Sequence, residues 1–277
     1  MSKAQPPARR ALGFIGGGNM AKAMIRGFVG AQLYRAEEMI ASDIDATMRA
    51  TLTRRLRVAA TADNREVVRR AQVIVLAVKP QIVDAVLAEI RELVTPRHVV
   101  VSIAAGVPTA RIERGLDGRA RVVRVMPNTP ALLGKGMSVI VRGSGATAAD
   151  ERLAVKLFKA VGRAVAVKDE AWLDAVTGLS GSGPAYVYLF AEGLIAGGVA
   201  AGLPADLATR LTLQTLTGAA AMLQETGETP ERLRAQVTSP GGTTLAGLTE
   251  LGQRGFTDSV AAAVVTAAKR SIELGRG

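Results

Sequence analysis

The 277-residue chain is 48% hydrophobic, with no cysteine and a single histidine; that is enough for about two packed domains. It excludes disulfides, thiolate nucleophiles, cysteine metal sites and multi-histidine metal centres, so no bound metal is expected. The formal charge of +11 is uneven: residues 1–167 hold 27 Lys and Arg against 13 Asp and Glu, residues 168–277 hold 8 against 11. A basic first half can steer a phosphate-rich dinucleotide and a carboxylate substrate. With 3% aromatic residues and no basic strip interleaved with them, stacking platforms for nucleic acid are unsupported, and no nucleic-acid partner is expected.

Residues 1–10, polar and proline-bearing, read as a disordered tail, and the apolar run after them is too short and glycine-broken for a signal peptide. A cytoplasmic protein is therefore expected. Ala11 to Ile15 reads as a strand, Gly16 to Gly18 as a tight turn, and Met20, Met24 and Phe28 as one face of a helix. Gly16-x-Gly18-x-x-Ala21 is a G-x-G-x-x-G/A fingerprint: Gly16 for the turn, Gly18 for close approach of a pyrophosphate, Ala21 for helix against strand. Met39 to Ser42 reads as a second strand ending at Asp43, 22 residues beyond Ala21. At that spacing an acid meets the adenosine ribose; Asp43 can equally cap the next helix.

Val73 to Val78 is a continuous apolar run, as a strand covered on both faces requires. It stops at Lys79-Pro80, where Pro80 suits a helix start and Lys79 the ligand-binding end of a central strand. His98 to Ile103 and Arg121 to Val125 are further strands; His98, opening one of them, reads as structural. Met126 to Pro130 form a proline-confined turn, and Gly136 to Val141, a helix from Thr147 to Ala160, and Ala164 to Val167 complete the alternation. Residues 11–167 thus read as a doubly wound parallel sheet of Rossmann type, and residues 168–277 as an all-helical domain. The apolar run Tyr186 to Ala201 raises the question of a membrane span, but Glu192 and flanking helix breaks argue against one. It is expected to be buried against a second subunit.

The stretches Gly13 to Ala21, Ala77 to Pro80, Val125 to Pro130, Ala175 to Tyr186 and Val237 to Thr244 together resemble pyrroline-5-carboxylate reductases over nearly all the chain after residue 10. The resemblance implies a Rossmann domain, a helical dimerisation domain interleaved between subunits, and frequently a ring of dimers. It implies reduction of the cyclic imine pyrroline-5-carboxylate to L-proline by hydride from NADPH or NADH, the last step of proline biosynthesis. A protonated imine asks for positioning and electrostatics more than for a strong base, which suits a chain with one structural histidine. The implied cofactor contacts are Ile15, Gly16, Gly17, Gly18, Asn19, Met20, Asp43, Asn64, Ala77, Val78, Lys79, Pro80 and Asn128. The implied substrate contacts are Glu170, Ser239, Gly241, Gly242, Thr243 and Thr244. Thr244 is the catalytic candidate through its hydroxyl at the ring nitrogen, although Ser and Thr at a helix start are otherwise caps; Glu170 can likewise be a first-turn acid facing a helix dipole. Two alternatives remain: a β-hydroxyacid dehydrogenase, expected to carry a Lys on the helix Pro184 to Ala201, where there is none, and a non-catalytic dinucleotide-binding module.

Family members that prefer NADPH tend to place Ser or a basic residue where Asp43 stands. A carboxylate there repels a 2′-phosphate and accepts from ribose hydroxyls, while Arg49, Arg54 and Arg55 can compensate from the following helix; the balance is expected to favour NADH.

Overall fold

A computed structural model describes residues 11–276; the tail expected over residues 1–10 lies outside them. The strands are β1 (Leu12–Ile15), β2 (Met39–Ser42), β3 (Ala59–Thr61), β4 (Val73–Leu76), β5 (Val99–Ser102), β6 (Arg121–Met126), β7 (Gly136–Arg142) and β8 (Gly162–Ala166). Between them run α1 (Asn19–Gly30), α2 (Ala46–Leu56), α3 (Asn64–Arg70), α4 (Val83–Ile90), α5 (Thr109–Gly115) and α6 (Ala148–Lys159). After β8 come α7 (Trp172–Val176), a π-helical turn at Thr177–Gly181, α8 (Gly183–Ala200), α9 (Ala205–Glu225), α10 (Pro230–Gln236), α11 (Thr243–Gln253) and α12 (Phe256–Arg276). The expected order, strand–helix alternation and then helices alone, is the order found.

The strands form one eight-stranded sheet ordered β3-β2-β1-β4-β5-β6-β7-β8. All pairings are parallel except β6 with β7, where Met126 stands opposite Val139. Side chains alternate between two apolar layers, as the period of two in a strand demands. Leu12, Phe14, Val73 and Val75 pack with Met24, Phe28 and Phe158 of α1 and α6. Ile15, Ile74 and Leu76 pack on the other face with Val67, Leu87 and Ile112 of α3, α4 and α5. Both layers are dry, and the sheet is fixed in register from either side.

Residues up to Gly181, together with those from Ala267 on, make one compact unit; Ser182–Thr266 make the other. The sheet unit therefore reaches past residue 167, where strand structure ends, and takes back the last turns of α12, where the Ser271 hydroxyl donates to Asp174 at 2.6 Å. In the helical unit, α8 has no buried residue, and Val187, Tyr188 and Leu189 are exposed. No helix among the described residues is long and apolar enough to cross a membrane.

Candidate functional site

In the sheet unit, β1 is flanked by β2 on one side and β4 on the other, so the strand order reverses between β1 and β4. In an open α/β sheet the carboxyl ends of such a pair flank the ligand crevice. The loops leaving them are Gly16–Gly18 and Ala77–Pro80. They are knitted together: the Gly16 N–H donates to the Ser42 carbonyl at 2.9 Å, and the Ala77 N–H to that of Ile15 at 2.8 Å. Gly16 has φ +98°, and a Cβ there would stand 2.6 Å from the Ala77 carbonyl oxygen. Only glycine permits both the turn and the close approach.

Gly17 donates its N–H to the Asp43 carboxylate at 2.8 Å, and a Cβ on it would meet Leu52 Cδ1 at 2.7 Å. Gly18 is different, with open space where its Cβ would be. It precedes α1 in an extended conformation, no side chain caps that helix, and its first turn holds no acid. By contrast α2, α3, α6 and α10 are capped by Asp45, Asp63, Thr147 and Thr229. The bare start of α1, beside a glycine with free space over it, fits a pyrophosphate. Asn19 is exposed there; Met20 is half-buried against the core.

Asp43 does not cap α2; the strand ends one residue before it and Asp45, accepting the Thr47 N–H at 2.7 Å, takes that role. The Asp43 carboxylate instead accepts from the main chain at both oxygens, from Gly17 and, at 2.9 Å, from Asp45. Arg49 is folded back onto the Asp43 and Ile44 carbonyls at 2.8 and 2.9 Å. Asn64 accepts from the buried Ser42 hydroxyl at 2.6 Å and donates to Glu89 at 2.7 Å, pinning the end of β2. Ala77 and Val78 are half-buried, Lys79 is exposed, and Pro80 opens a 3₁₀ turn.

Asn128 braces the sheet unit. Its Nδ2 donates to the Ser180 carbonyl at 3.1 Å, and its Oδ1 accepts the Met137 N–H at 2.8 Å. It thereby ties the turn after β6 to the π-helical turn. His98 is likewise structural, its ring held by the Thr95 N–H at Nδ1 and the Val68 carbonyl at Nε2.

Glu170 is tied to α5 and β6. Its carboxylate accepts from the Thr109 N–H at 2.8 Å, the Thr109 hydroxyl at 2.5 Å and Arg124 Nη1 at 2.9 Å. The Arg124 side chain is only 4% exposed. A buried guanidinium requires a fixed counter-charge, and Glu170 supplies it while closing the start of α5. That carboxylate is held in place within the sheet unit by these three bonds.

In the helical unit, Gly241 has φ +69° and open space around it, and Gly242 closes a turn onto the Ser239 carbonyl at 3.1 Å. Gly242, extended, precedes α11, which has no side-chain cap and no acid in its first turn. Thr243 and Thr244 therefore open the helix without capping it. The Thr244 hydroxyl, half-buried, makes no hydrogen bond among the described residues. A run of free N–H groups beside a free hydroxyl can hold a carboxylate and a nitrogen together. Among the described residues no group of three or more His, Asp or Glu is placed to hold a metal.

Two family models match. One, pyrroline-5-carboxylate reductase dimerisation, covers residues 170–274; the other, NADP oxidoreductase coenzyme F420-dependent, covers residues 11–106. The chain is 44% identical to a pyrroline-5-carboxylate reductase of Glycine max over 97% of each chain. It is 43% identical to that of Pseudomonas aeruginosa over 95% of this chain and 96% of the other. Among solved structures, a pyrroline-5-carboxylate reductase from Coxiella burnetii superposes with a TM-score of 0.88 at 34% identity, covering 96% and 98% of the two chains. A Plasmodium falciparum pyrroline carboxylate reductase with NADP bound superposes with a TM-score of 0.87 at 31% identity over the same shares. With two sequence relatives above 40% identity over nearly their whole lengths, a helical half that matches the dimerisation model and a sheet half built around a dinucleotide turn, the chain belongs to the pyrroline-5-carboxylate reductase family.

Proposed function

We propose a division of labour for the reaction this chain catalyses, the NAD(P)H-dependent reduction of pyrroline-5-carboxylate to L-proline. Residues 11–167 hold the cofactor and residues 168–277 carry dimerisation and substrate binding. The Gly16–Gly18 turn and the bare start of α1 hold the pyrophosphate; Asp43 accepts from the adenosine ribose. Ile15, Asn19, Met20 and the Ala77–Pro80 loop line the rest of the crevice. Asn64 and Asn128 serve it by bracing its walls. When bound, the reduced nicotinamide supplies the hydride.

The observation that supports the substrate assignment is the start of α11, which no side chain caps, beside a Thr244 hydroxyl that makes no hydrogen bond among the described residues. Ser239, Gly241 and Thr243 present main-chain N–H groups to the substrate carboxylate, charge against helix dipole, while Gly242, its N–H closed onto Ser239, shapes the turn against which the substrate lies. The Thr244 hydroxyl accepts the iminium N–H and so fixes which way the C=N bond faces. No side chain has to abstract a proton, because the protonated imine is already electrophilic.

The chain is a homo-oligomer through its dimerisation domain, and we extend that to a ring of dimers in the cytoplasm; the exposed α8 surface and the absence of cysteine support these two readings. The test mixes purified protein, NADH or NADPH, and pyrroline-5-carboxylate and follows nicotinamide absorbance. Cofactor oxidation with formation of proline is expected. Turnover of a 3-hydroxy acid in its place would move the chain to the β-hydroxyacid dehydrogenases, and cofactor binding without turnover of either would leave a binding module.

A further inference from the structure

We infer that the dinucleotide site selects NADH over NADPH and that Asp43 sets the choice. The inference rests on the cofactor reading of the β1–β4 crevice. The two cofactors differ by a nearly dianionic phosphate on the adenosine ribose, which falls at the end of β2. Among the described residues, Asp43, Asp45 and Arg49 stand at that strand end.

The Asp43 carboxylate is pinned at both oxygens by the Gly17 and Asp45 N–H groups at 2.8 and 2.9 Å. It cannot swing aside without releasing the glycine turn that shapes the site. Each oxygen keeps acceptor capacity for a ribose hydroxyl, whereas a phosphate meets a fixed like charge. The start of α2, otherwise an end that attracts anions, is closed by the Asp45 carboxylate. That places a second negative charge beside the first.

The opposing cations are poorly placed. Arg49 donates from Nη1 to the Asp43 and Ile44 carbonyls, and turning outward to a phosphate forfeits both bonds and side-chain freedom. Arg54 and Arg55 stand in the last turn of α2. At 1.5 Å per residue they are about 12 Å or more along the helix from its start. One arginine with a prior commitment thus faces two carboxylates.

Calorimetric titration of the purified protein with each cofactor is expected to give a Kd for NADH about tenfold or more below that for NADPH. Asp43→Asn keeps an acceptor for the Gly17 N–H and removes the charge, so the ratio should fall toward one, mainly through tighter NADPH. Arg49→Ala should leave the ratio within about twofold. The inference is overturned if the wild type binds NADPH as tightly as NADH, if Asp43→Asn leaves the ratio unchanged, or if Arg49→Ala weakens NADPH alone. If neither cofactor binds, the crevice is not a dinucleotide site and the inference falls with it.

Discussion

Strands β1 and β4 are buried along their whole length, while in the helical unit α8, just as apolar, has no buried residue at all. The sheet unit covers its own apolar residues with helices from the same chain on both faces. The helical unit leaves Val187, Tyr188, Leu189, Leu211 and Leu213 in solvent. Contiguous apolar surface of that kind marks an interface, and here it lies within the segment matched by the dimerisation model. The polar groups divide in the same way. In the sheet unit α2, α3 and α6 are capped by side chains and α1 is left bare; in the helical unit α10 is capped and α11 is left bare. One unit covers its apolar residues with its own helices; the other leaves them exposed within the segment that matches the dimerisation model.

The strongest attempt to break this contrast is Leu189→Glu. Leu189 is 68% exposed in the single chain, so a carboxylate there is tolerated unless another subunit covers it. Burying it uncompensated at an interface is expected to cost about 3–5 kcal/mol per chain, seen in sedimentation velocity as dissociation and loss of activity. An unchanged oligomer would show that α8 faces solvent. Phe28→Ala makes the converse test. Phe28 is fully buried between Phe14 and Tyr34, with ring centroids 6.2 and 6.4 Å away. Its truncation should lower stability by about 3–5 kcal/mol in denaturant titration while the subunit dissociation constant stays put.

Thr244→Ala sharpens the polar half of the contrast. A cap would be lost as stability, a ligand contact as activity. The expected result is kcat/KM down by roughly ten- to a few hundred-fold, equivalent to about 1.5–3 kcal/mol, with cofactor affinity and melting temperature nearly unmoved. Unchanged kcat/KM would withdraw the hydroxyl from the reaction. The smallest effect belongs to the tie between α4 and α5, where Arg111 meets Asp84 at 3.0 and 2.6 Å. The hydrogen bond from Arg111 holds the Asp84 carboxyl below its ordinary value. A depressed carboxylate contributes stability above its unfolded pKa, near 3.9, and loses it as pH falls through the lower folded value. Because Asp84 is largely exposed, Asp84→Asn should cost under about 1 kcal/mol at neutral pH. That difference should shrink in thermal melts as pH falls below the ordinary carboxylate range, and a difference that grows on acidification would reverse the sign assigned to the pair.

Much of this was legible in the residues. Val73 to Leu76 could only be a strand covered twice, and Gly16 and Gly18 could only serve a tight βα turn. β3 was missed because Ala59-Ala60-Thr61 is a short, half-buried edge with no apolar alternation. The reversal at β7 had a usable signal: the link of residues 127–135 is too short for a parallel crossover, which needs about a dozen residues or more. Asp43 and Asp45 compete for one cap, and the winner depends on where the strand stops to within a residue. The ion pair of Glu170 was not legible because its partner lies 46 residues away. The sign of that partner was visible, since Arg124 interrupts an apolar strand and a buried arginine must find a carboxylate. Thr244 carries no local signal that separates ligand from cap, and the structure removes only the cap, since no side chain caps α11.

The pairing of Leu12 with Val73 bears on how the molecule is made. β6 and β7 meet through a short link, as do β7 and β8 through α6, so that side of the sheet closes on local contacts. The β1–β4 pair must first close a loop containing three helices and two further strands. Loop-closure entropy is spent before such a pairing returns anything, and distant pairings are the slow ones. On a growing chain the crevice between β1 and β4 cannot exist until the Ala77–Pro80 loop has left the ribosome. A bound cofactor is consequently a mark of a finished sheet, and it adds its binding energy to that state alone.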